Sequence, residues 1–378
     1  MTMIRNALIV GGGIAGMSLA IALRQQGIQA EIVERKTDWT VLGVGIILQG
    51  PALRALKRIG LLDRCLQEGF GSSELVIGDA EGHVFARFPN PQLAGPEYPA
   101  TIGILRPALH TILAEASQAA GVKIRLGVSI RSFISPGQEA SAVEVEFTDG
   151  TRRSYDLVIG ADGVHSHMRE LLFGANVRPA YVGQVVWRAN MERPAEVTTV
   201  SMWYGPRNKA GLSPFSRQGM YLFLTQNVPA PTRLEQEQLP ALLREQLAEY
   251  QGLVGEARER IADPQQINYR PIESLILPSP WYKGRVVLIG DAAHASTPHL
   301  AMGAAMAFED AIVLSELLAA NMPVAQALEE FMRRRYERCR LVVENSLQLV
   351  AWEKESLAPD ARFDELVGRS MMTLAQPA

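Results

Sequence analysis

The chain has 378 residues and a mass of 41.4 kDa, enough for two or three domains with sizeable cores, which excludes a peptide hormone or a disulfide-stapled miniprotein. Lys plus Arg number 37 against 40 Asp plus Glu, a formal charge of −3, so the sequence offers no basic surface for nucleic acid and no polybasic membrane anchor. Hydrophobic residues make up 47% in short runs broken by Gly, Pro and charge, the composition of a globular protein rather than of long disorder.

Met1 runs directly into the apolar stretch Ala7 to Val10 and then into glycines, which predicts no secretory signal, and no apolar run is long enough to span a bilayer. Cys65 and Cys339 are far apart and form no C-x-x-C, so neither a disulfide framework nor a thiolate metal site is expected. A reducing, cytoplasmic location fits these features.

Residues 7 to 34 read as a βαβ unit: a strand to Val10, a turn from Gly11 to Gly16, a helix from Met17 to Gln26 and a strand from Ala30 to Glu34. A right-handed crossover of this size puts the first strand near the middle of a parallel sheet. Similar strand-to-turn junctions follow at 156 to 163 and 285 to 291. Between them, residues 74 to 90 and 184 to 227 alternate apolar and polar positions with aromatics, as in Val185-Val186-Trp187-Arg188, and predict a second, mixed sheet. Residues 234 to 262 read as a helical layer, and 324 to 352 as a long amphipathic helix. The expected fold is α/β: a discontinuous Rossmann-like unit of residues 1–73, 101–183 and 271–320, a substrate unit of 74–100 and 184–270, and C-terminal helices over 321–378.

Gly11, Gly13 and Gly16 form G-x-G-x-x-G between strand and helix, and Glu34 ends the next strand 18 residues beyond Gly16. Gly11 permits the tight turn, Gly13 lets backbone approach a pyrophosphate, and Gly16 lets helix and strand pack closely. The helix N-terminus turns free N–H groups toward the phosphates, and Glu34 can accept from an adenosine ribose. With strand, helix and acid in register, this is a dinucleotide site rather than an ordinary glycine turn. The segment Gly290-Asp291-Ala292-Ala293-His294, followed by Pro298 and a helix starting near Gly303-Ala304, separates FAD from a nicotinamide nucleotide. A carboxylate at that strand end can hold ribityl hydroxyls, and a helix N-terminus can stabilise an anionic reduced flavin.

On these motifs the chain resembles the class A flavoprotein monooxygenases, the FAD-dependent aromatic hydroxylases of the para-hydroxybenzoate hydroxylase fold. Asp156-Leu-Val-Ile-Gly-Ala-Asp162-Gly163 is similar to that family's second motif, near the pyrophosphate and NAD(P)H, and Gly290 through Gly303 is similar to the third. Arg106 matches an arginine along the ribityl and phosphate portion, Gly43-Val44-Gly45 matches the loop beside the ring, and Arg35 and Ala304 fall with the cofactor segments. Ala301-Met302 stands where the family often has Gly-Gln, which implies a drier pocket. The resemblance implies hydride transfer from NADH or NADPH, a transient co-substrate, to FAD, then reaction with O2 to a C4a-hydroperoxide and oxygen transfer to a small electron-rich aromatic ring. It implies no nucleic-acid or integral membrane partner, and a monomer or homodimer.

Candidates for the substrate pocket are Arg188, Tyr204, Arg207, Tyr221 and His299, with His299 expected to face the substrate and move a proton. Plainer roles stand beside these: His299 as a turn cap, the arginines in surface ion pairs, the tyrosines and the Met302/Met306 pair as packing, His294 as structural. His165 and His167 lack further ligands, so no metal site is expected. Arg333 to Arg338 reads as a solvated face or a dimer contact. A flavin oxidoreductase without oxygen insertion, a nicotinamide dehydrogenase and a non-catalytic nucleotide-binding module are the alternatives.

Overall fold

The computed structural model describes residues 4–39, 41, 43–134, 142–356 and 360–378. The first strand, Asn6–Val10, lies inside a six-stranded sheet whose order is 282–283, 286–288, 157–160, 6–10, 29–34, 123–126. Ile9 is in register with Ile159 on one side and Ile32 on the other, and all pairs are parallel except the short edge pair 282–283/286–288. Such strands are covered on both faces, so they read as unbroken apolar runs; Leu8, Ile9, Ile32, Val158 and Val287 are fully buried. The helices Ile14–Gln25 and Gly303–Ala319 pack against each other and the sheet.

The second sheet has seven strands in the order 267–274, 180–192, 219–227, 208–214, 200–204, 74–79, 84–89. It is mixed, as expected, because 74–79 runs parallel to 200–204 while the other pairs are antiparallel. Sequence reading missed the strand Ile267–Ser274, whose Pro271, Arg270 and Glu273 look like a loop. It is an edge strand, the position in a sheet that tolerates proline. One face carries Val185, Trp187, Ala189, Trp203, Ala210, Leu212, Leu222 and Leu224, packed under the helices Leu239–Gln246 and Gly252–Glu259. The alternate positions face the other way, toward residues 43–45 and 297–299.

Two C-terminal helices, Val324–Glu355 and Ala361–Ala375, complete the chain, and no helix among the described residues is long and apolar enough to cross a membrane. The arginine run is not uniformly a solvated face. Arg333 pairs outward with Glu330, but Arg335 is fully buried, its Nε 2.8 Å from Asp310 and its Nη1 2.7 Å from Glu309. Arg338 joins Glu309 at 2.7 Å. One helical repeat thus alternates outward and inward arginines, and Glu309-Asp310, the buried acids of the helix Gly303–Ala319, are what draw the inward ones.

Buried carboxylates held by cations make stability pH-dependent. Burial opposes ionisation of Asp310, but His294 and Arg335 outweigh it and bring its pKa down to about 2. Arg335 and Arg338 likewise hold Glu309 below its ordinary value, and Lys209 with His299 brings Glu353 to about 2. Groups with depressed folded pKa values contribute stability above the unfolded carboxylate range and lose it as pH falls toward the folded value. The melting temperature is therefore expected to drop steeply from about pH 4 toward pH 2, measured by circular dichroism, and an acid limb displaced to neutral pH would contradict these assignments.

Candidate active site

Gly11 ends the first strand with φ +113, a conformation that side chains resist, and an added Cβ would lie 2.3 Å from the Ala161 carbonyl oxygen. A Cβ on Gly16 would lie 2.0 Å from the Gly11 oxygen, so helix and strand touch there without a side chain between them. Around Gly13 nothing approaches within 4 Å of a built Cβ. The first turn of the helix Ile14–Gln25 therefore opens onto free space, as a phosphate cradle requires. Glu34 accepts from the Gly12 amide at 3.0 Å and the Lys36 amide at 3.0 Å, which holds its carboxylate beside the turn. Arg35 is exposed just beyond it. His110 and Trp39, which sequence reading missed, back the turn: the His110 Nε2 lies 3.0 Å from the Gly12 oxygen and its ring is 5.0 Å from that of Trp39.

The second motif contributes backbone rather than a free acid. Asp162 accepts from the Ser166 hydroxyl at 2.5 Å and the Met168 amide at 2.9 Å, tying down the loop that enters the helix His167–Phe173, while Gly163 stands open at φ +82. His165 Nε2 lies 3.3 Å from Glu273 and His167 Nδ1 3.8 Å from Glu170.

In the third motif, Gly290 turns the chain and its amide donates to Asp310 at 2.9 Å. Asp291 is solvent-exposed yet enclosed by protein on most sides, as a group on a cleft wall is. That enclosure raises its pKa, against the pull of His294 and Arg106. Arg106 begins the helix Arg106–Ala119, its amide bonded to the Val44 oxygen at 2.9 Å and its side chain exposed. Its charge acts on Asp291, Arg188 and Tyr221 alike, which puts the four groups within electrostatic reach of one another. His294 is structural: it is buried, 2.6 Å from Asp310. Burial disfavours its charge, but Cys339 and Asp310 raise its pKa well above the ordinary value.

The floor of the cleft is the outward face of the seven-stranded sheet. Register places Val186, Thr225, Lys209 and Tyr204 in one row, Arg188, Phe223, Gly211 and Met202 in the next, and Asn190, Tyr221 and Ser213 in a third. Arg188, Phe223 and Met202 are half-buried at its centre. Asn190 donates from Nδ2 to the Gly43 oxygen. A Cβ on Gly45 would lie 2.2 Å from the Tyr221 ring, so the Gly43–Gly45 loop sits directly on the floor. Burial raises the Tyr221 and Tyr204 pKa values, and both phenols stay protonated.

Two candidates fall elsewhere. Arg207 lies on the exposed turn after the strand Val200–Tyr204, 3.3 Å from Glu249, because a hairpin turn carries its side chains off the sheet face. His299 does not present a free nitrogen to the cleft. Its side chain is 1% exposed, with Nδ1 2.9 Å from the Thr297 hydroxyl and Nε2 3.1 Å from Glu353. Pro298 is exposed beside it, and Gly303-Ala304 begin the helix Gly303–Ala319.

A glycine-cradled helix N-terminus beside an acid-ended strand, facing a cleft with a carboxylate and two arginines, defines a flavin-type dinucleotide enzyme. A family model described as an FAD binding domain matches residues 5–347, and the chain belongs to that family, the FAD-dependent aromatic hydroxylases. The chain is 32% identical to the 2-heptyl-3-hydroxy-4(1H)-quinolone synthase of Pseudomonas aeruginosa strain PAO1, over 92% of this chain and 90% of that one. It is 29% identical to the 3-amino-4-hydroxybenzoate 2-monooxygenase PtmB3 of Streptomyces platensis, over 97% and 92%. The crystal structure of Klebsiella pneumoniae HpxO complexed with FAD and uric acid matches with a TM-score of 0.86 at 25% identity, covering 99% of this chain and 97% of that one. The protein is an FAD-dependent monooxygenase.

Two substitutions check the local reading. Gly13→Val fills the open cradle and is expected to give folded protein without flavin; normal flavin content on purification would remove FAD from this turn. Ala301 has φ +52, the one non-glycine residue at positive φ among those described, at the position where the family often has glycine. Left-handed backbone costs an alanine about 1–2 kcal/mol, so Ala301→Gly should leave stability unchanged or raise it by up to about 1 kcal/mol in urea titration, and a clear loss would contradict the strain.

Proposed function

We propose that this protein takes reducing equivalents from NADH or NADPH and, with O2, adds one oxygen atom to a small phenolic, amino-aromatic or N-heterocyclic ring held on the sheet floor between Arg188 and Tyr221. What supports this reading is the sheet floor itself: Arg188 stands half-buried in one row with Phe223 and Met202, and Tyr221 in the next row lies directly under the Gly43–Gly45 loop. FAD supplies the redox and oxygen chemistry when bound. The residues of this chain that fit it are Gly11, Gly13, Gly16 and Glu34 at the nucleotide end, and Asp291, Arg106, Gly45 and the segment Pro298–Gly303 toward the ring. The three segments 1–73, 101–183 and 271–320 together supply this half of the molecule.

The floor performs three tasks. Its apolar centre excludes water, which strengthens every charge interaction in the cleft. Arg188, with its guanidinium among Tyr221 and Arg106, meets a carboxylate or an electron-rich ring oxygen and fixes orientation. Tyr221, buried and protonated, offers a hydroxyl rather than a base. Both nitrogens of His299 are engaged, by Thr297 and Glu353, so His299 does not itself take the substrate's proton.

The compounds in the relatives' names, an aminohydroxybenzoate acted on and a hydroxyquinolone made, and the uric acid bound in HpxO set the range to test. Hydroxybenzoates, aminobenzoates, hydroxypyridines, quinolones and purines are screened for stimulated NADH and NADPH oxidation, with product mass measured. A product heavier by one oxygen is the expected result; stimulated oxidation yielding only peroxide with every compound would favour a flavin oxidoreductase of the same fold. With the best substrate, Arg188→Met should raise KM about 10–100-fold with a smaller change in kcat and unchanged flavin content, since hydrogen bonds to charged groups are worth about 1.5–3 kcal/mol. An unaltered KM would take Arg188 out of the pocket.

A further inference from the structure

Lys209, Glu353 and His299 come from three separate elements and meet at one end of the sheet floor. Lys209, on the strand Asn208–Pro214, pairs through Nζ with Glu353 Oε1, while Glu353 Oε2 lies 3.1 Å from His299 Nε2. Their side chains are 5%, 2% and 1% exposed. His299 Nδ1 lies 2.9 Å from the Thr297 hydroxyl. The helix bearing Glu353 is itself pinned to the sheet, with Asn227 Nδ2 donating to the Glu353 carbonyl at 3.4 Å.

The charges decide the hydrogen positions. Lys209 and Glu353 cancel each other, which leaves a neutral ring as the stable form of His299, and burial lowers its pKa against the pull of Glu353. An ionised carboxylate only accepts, so Nε2 carries the proton and donates to Glu353, and Nδ1 accepts from the Thr297 hydroxyl. A ring held at both nitrogens has one tautomer and one orientation.

The segment that follows has few hydrogen bonds of its own, its anchors being the buried side chains of Leu300 and Met302. Pro298–Leu300 is a single short turn, Ala301 is left-handed, and the segment's inner bonds are Ala301 N to the Pro298 oxygen and Met306 N to the Met302 oxygen, each 3.0 Å. A buried ion pair is a poor way to gain stability, since apolar residues of similar volume do as well or better. Its better-supported value is in fixing one arrangement.

We propose that Glu353, charge-balanced by Lys209, is a positioning residue that acts through the His299 ring to fix Pro298–Gly303, and with it the N-terminal end of the helix Gly303–Ala319, at the edge of the bound FAD. This rests on the placement of the flavin given under the proposed function.

The test uses the FAD-loaded protein and two double variants, because removing Glu353 alone strands the Lys209 charge in the interior. Lys209→Met with Glu353→Gln keeps an oxygen that accepts from His299 Nε2; Lys209→Met with Glu353→Met keeps the volume and loses the acceptor. The Gln pair is expected to retain the wild-type visible flavin spectrum and FAD affinity within about threefold, whereas the Met pair binds FAD about tenfold more weakly with an altered flavin band. Nitrogen NMR of labelled imidazoles should show a single Nε2–H tautomer for His299 in wild type and in the Gln pair, and a mixture in the Met pair. Equal affinity and spectra for the two pairs overturn the proposal. So does a wild-type His299 protonated on Nδ1, a result that needs no variant to fold. Gly303→Val, within the segment, checks the flavin placement separately. If it leaves the flavin unchanged, the placement itself fails; if it perturbs the flavin while the Met pair behaves as wild type, the Glu353 clamp alone fails.

Discussion

Everything in this molecule hangs on a contact that no side chain could enter. At Gly16 an added Cβ would come within 2.0 Å of the Gly11 oxygen, and at Gly11 within 2.3 Å of the Ala161 oxygen. Three backbones, the end of the strand Asn6–Val10, the end of Leu157–Gly160 and the start of the helix Ile14–Gln25, therefore converge at van der Waals distance. This convergence sets the mouth of the cleft at the carboxyl ends of the central strands, where open α/β sheets bind ligands. Gly290 enters the same neighbourhood from the adjacent strand, where an added Cβ would lie 3.0 Å from that of Ala15, and so brings Asp291 to the cleft wall.

Long-range order is then carried by one helix. Val324–Glu355 has 32 residues, about 48 Å at 1.5 Å per residue, and it reaches both halves of the site. Near its middle, Arg335 and Arg338 engage Glu309 and Asp310, the acids beneath the third motif; near its end, Glu353 engages Lys209 of the sheet floor and His299 of the cofactor segment. Interdigitated apolar side chains along its buried face already resist sliding. Charge pairs that must be matched in a dry interior make each displacement expensive, so the helix acts as a ruler between cofactor motif and floor.

The two buried histidines show how environment assigns different states to the same side chain. His294 faces Asp310, which Arg335 also engages, and Cys339 together with Asp310 drives its pKa well above the ordinary value; His299 faces Glu353, and there burial, with Lys209 beside the pair, keeps its pKa low. Neither is available as an acid or base in the cleft. The charged groups nearest the floor that solvent still reaches are Arg106, Arg188 and Asp291.

The sequence by itself determined the parts governed by local backbone chemistry. The glycine spacing before a helix, the acid ending the next strand and the Gly-Asp junction of the third motif were legible because tight turns, phosphate approach and strand ends depend on a few neighbouring residues. The alternation over 184 to 227 was enough to expect a sheet with one solvated or ligand-facing side, with Arg188, Tyr204 and Tyr221 as candidates on it. The tertiary structure decided what needed a partner from far along the chain. Glu353 lies 54 residues from His299 and 144 from Lys209, so nothing local marked it, and His299 looked free until that carboxylate closed on it. Arg335 looked solvated in a run of arginines until Glu309 and Asp310 drew it inward, and Arg207 looked like a floor residue until the hairpin turned it out. Periodicity reports which way a side chain points along its own element; whether it meets water, an opposite charge or a ligand is fixed only when the elements pack.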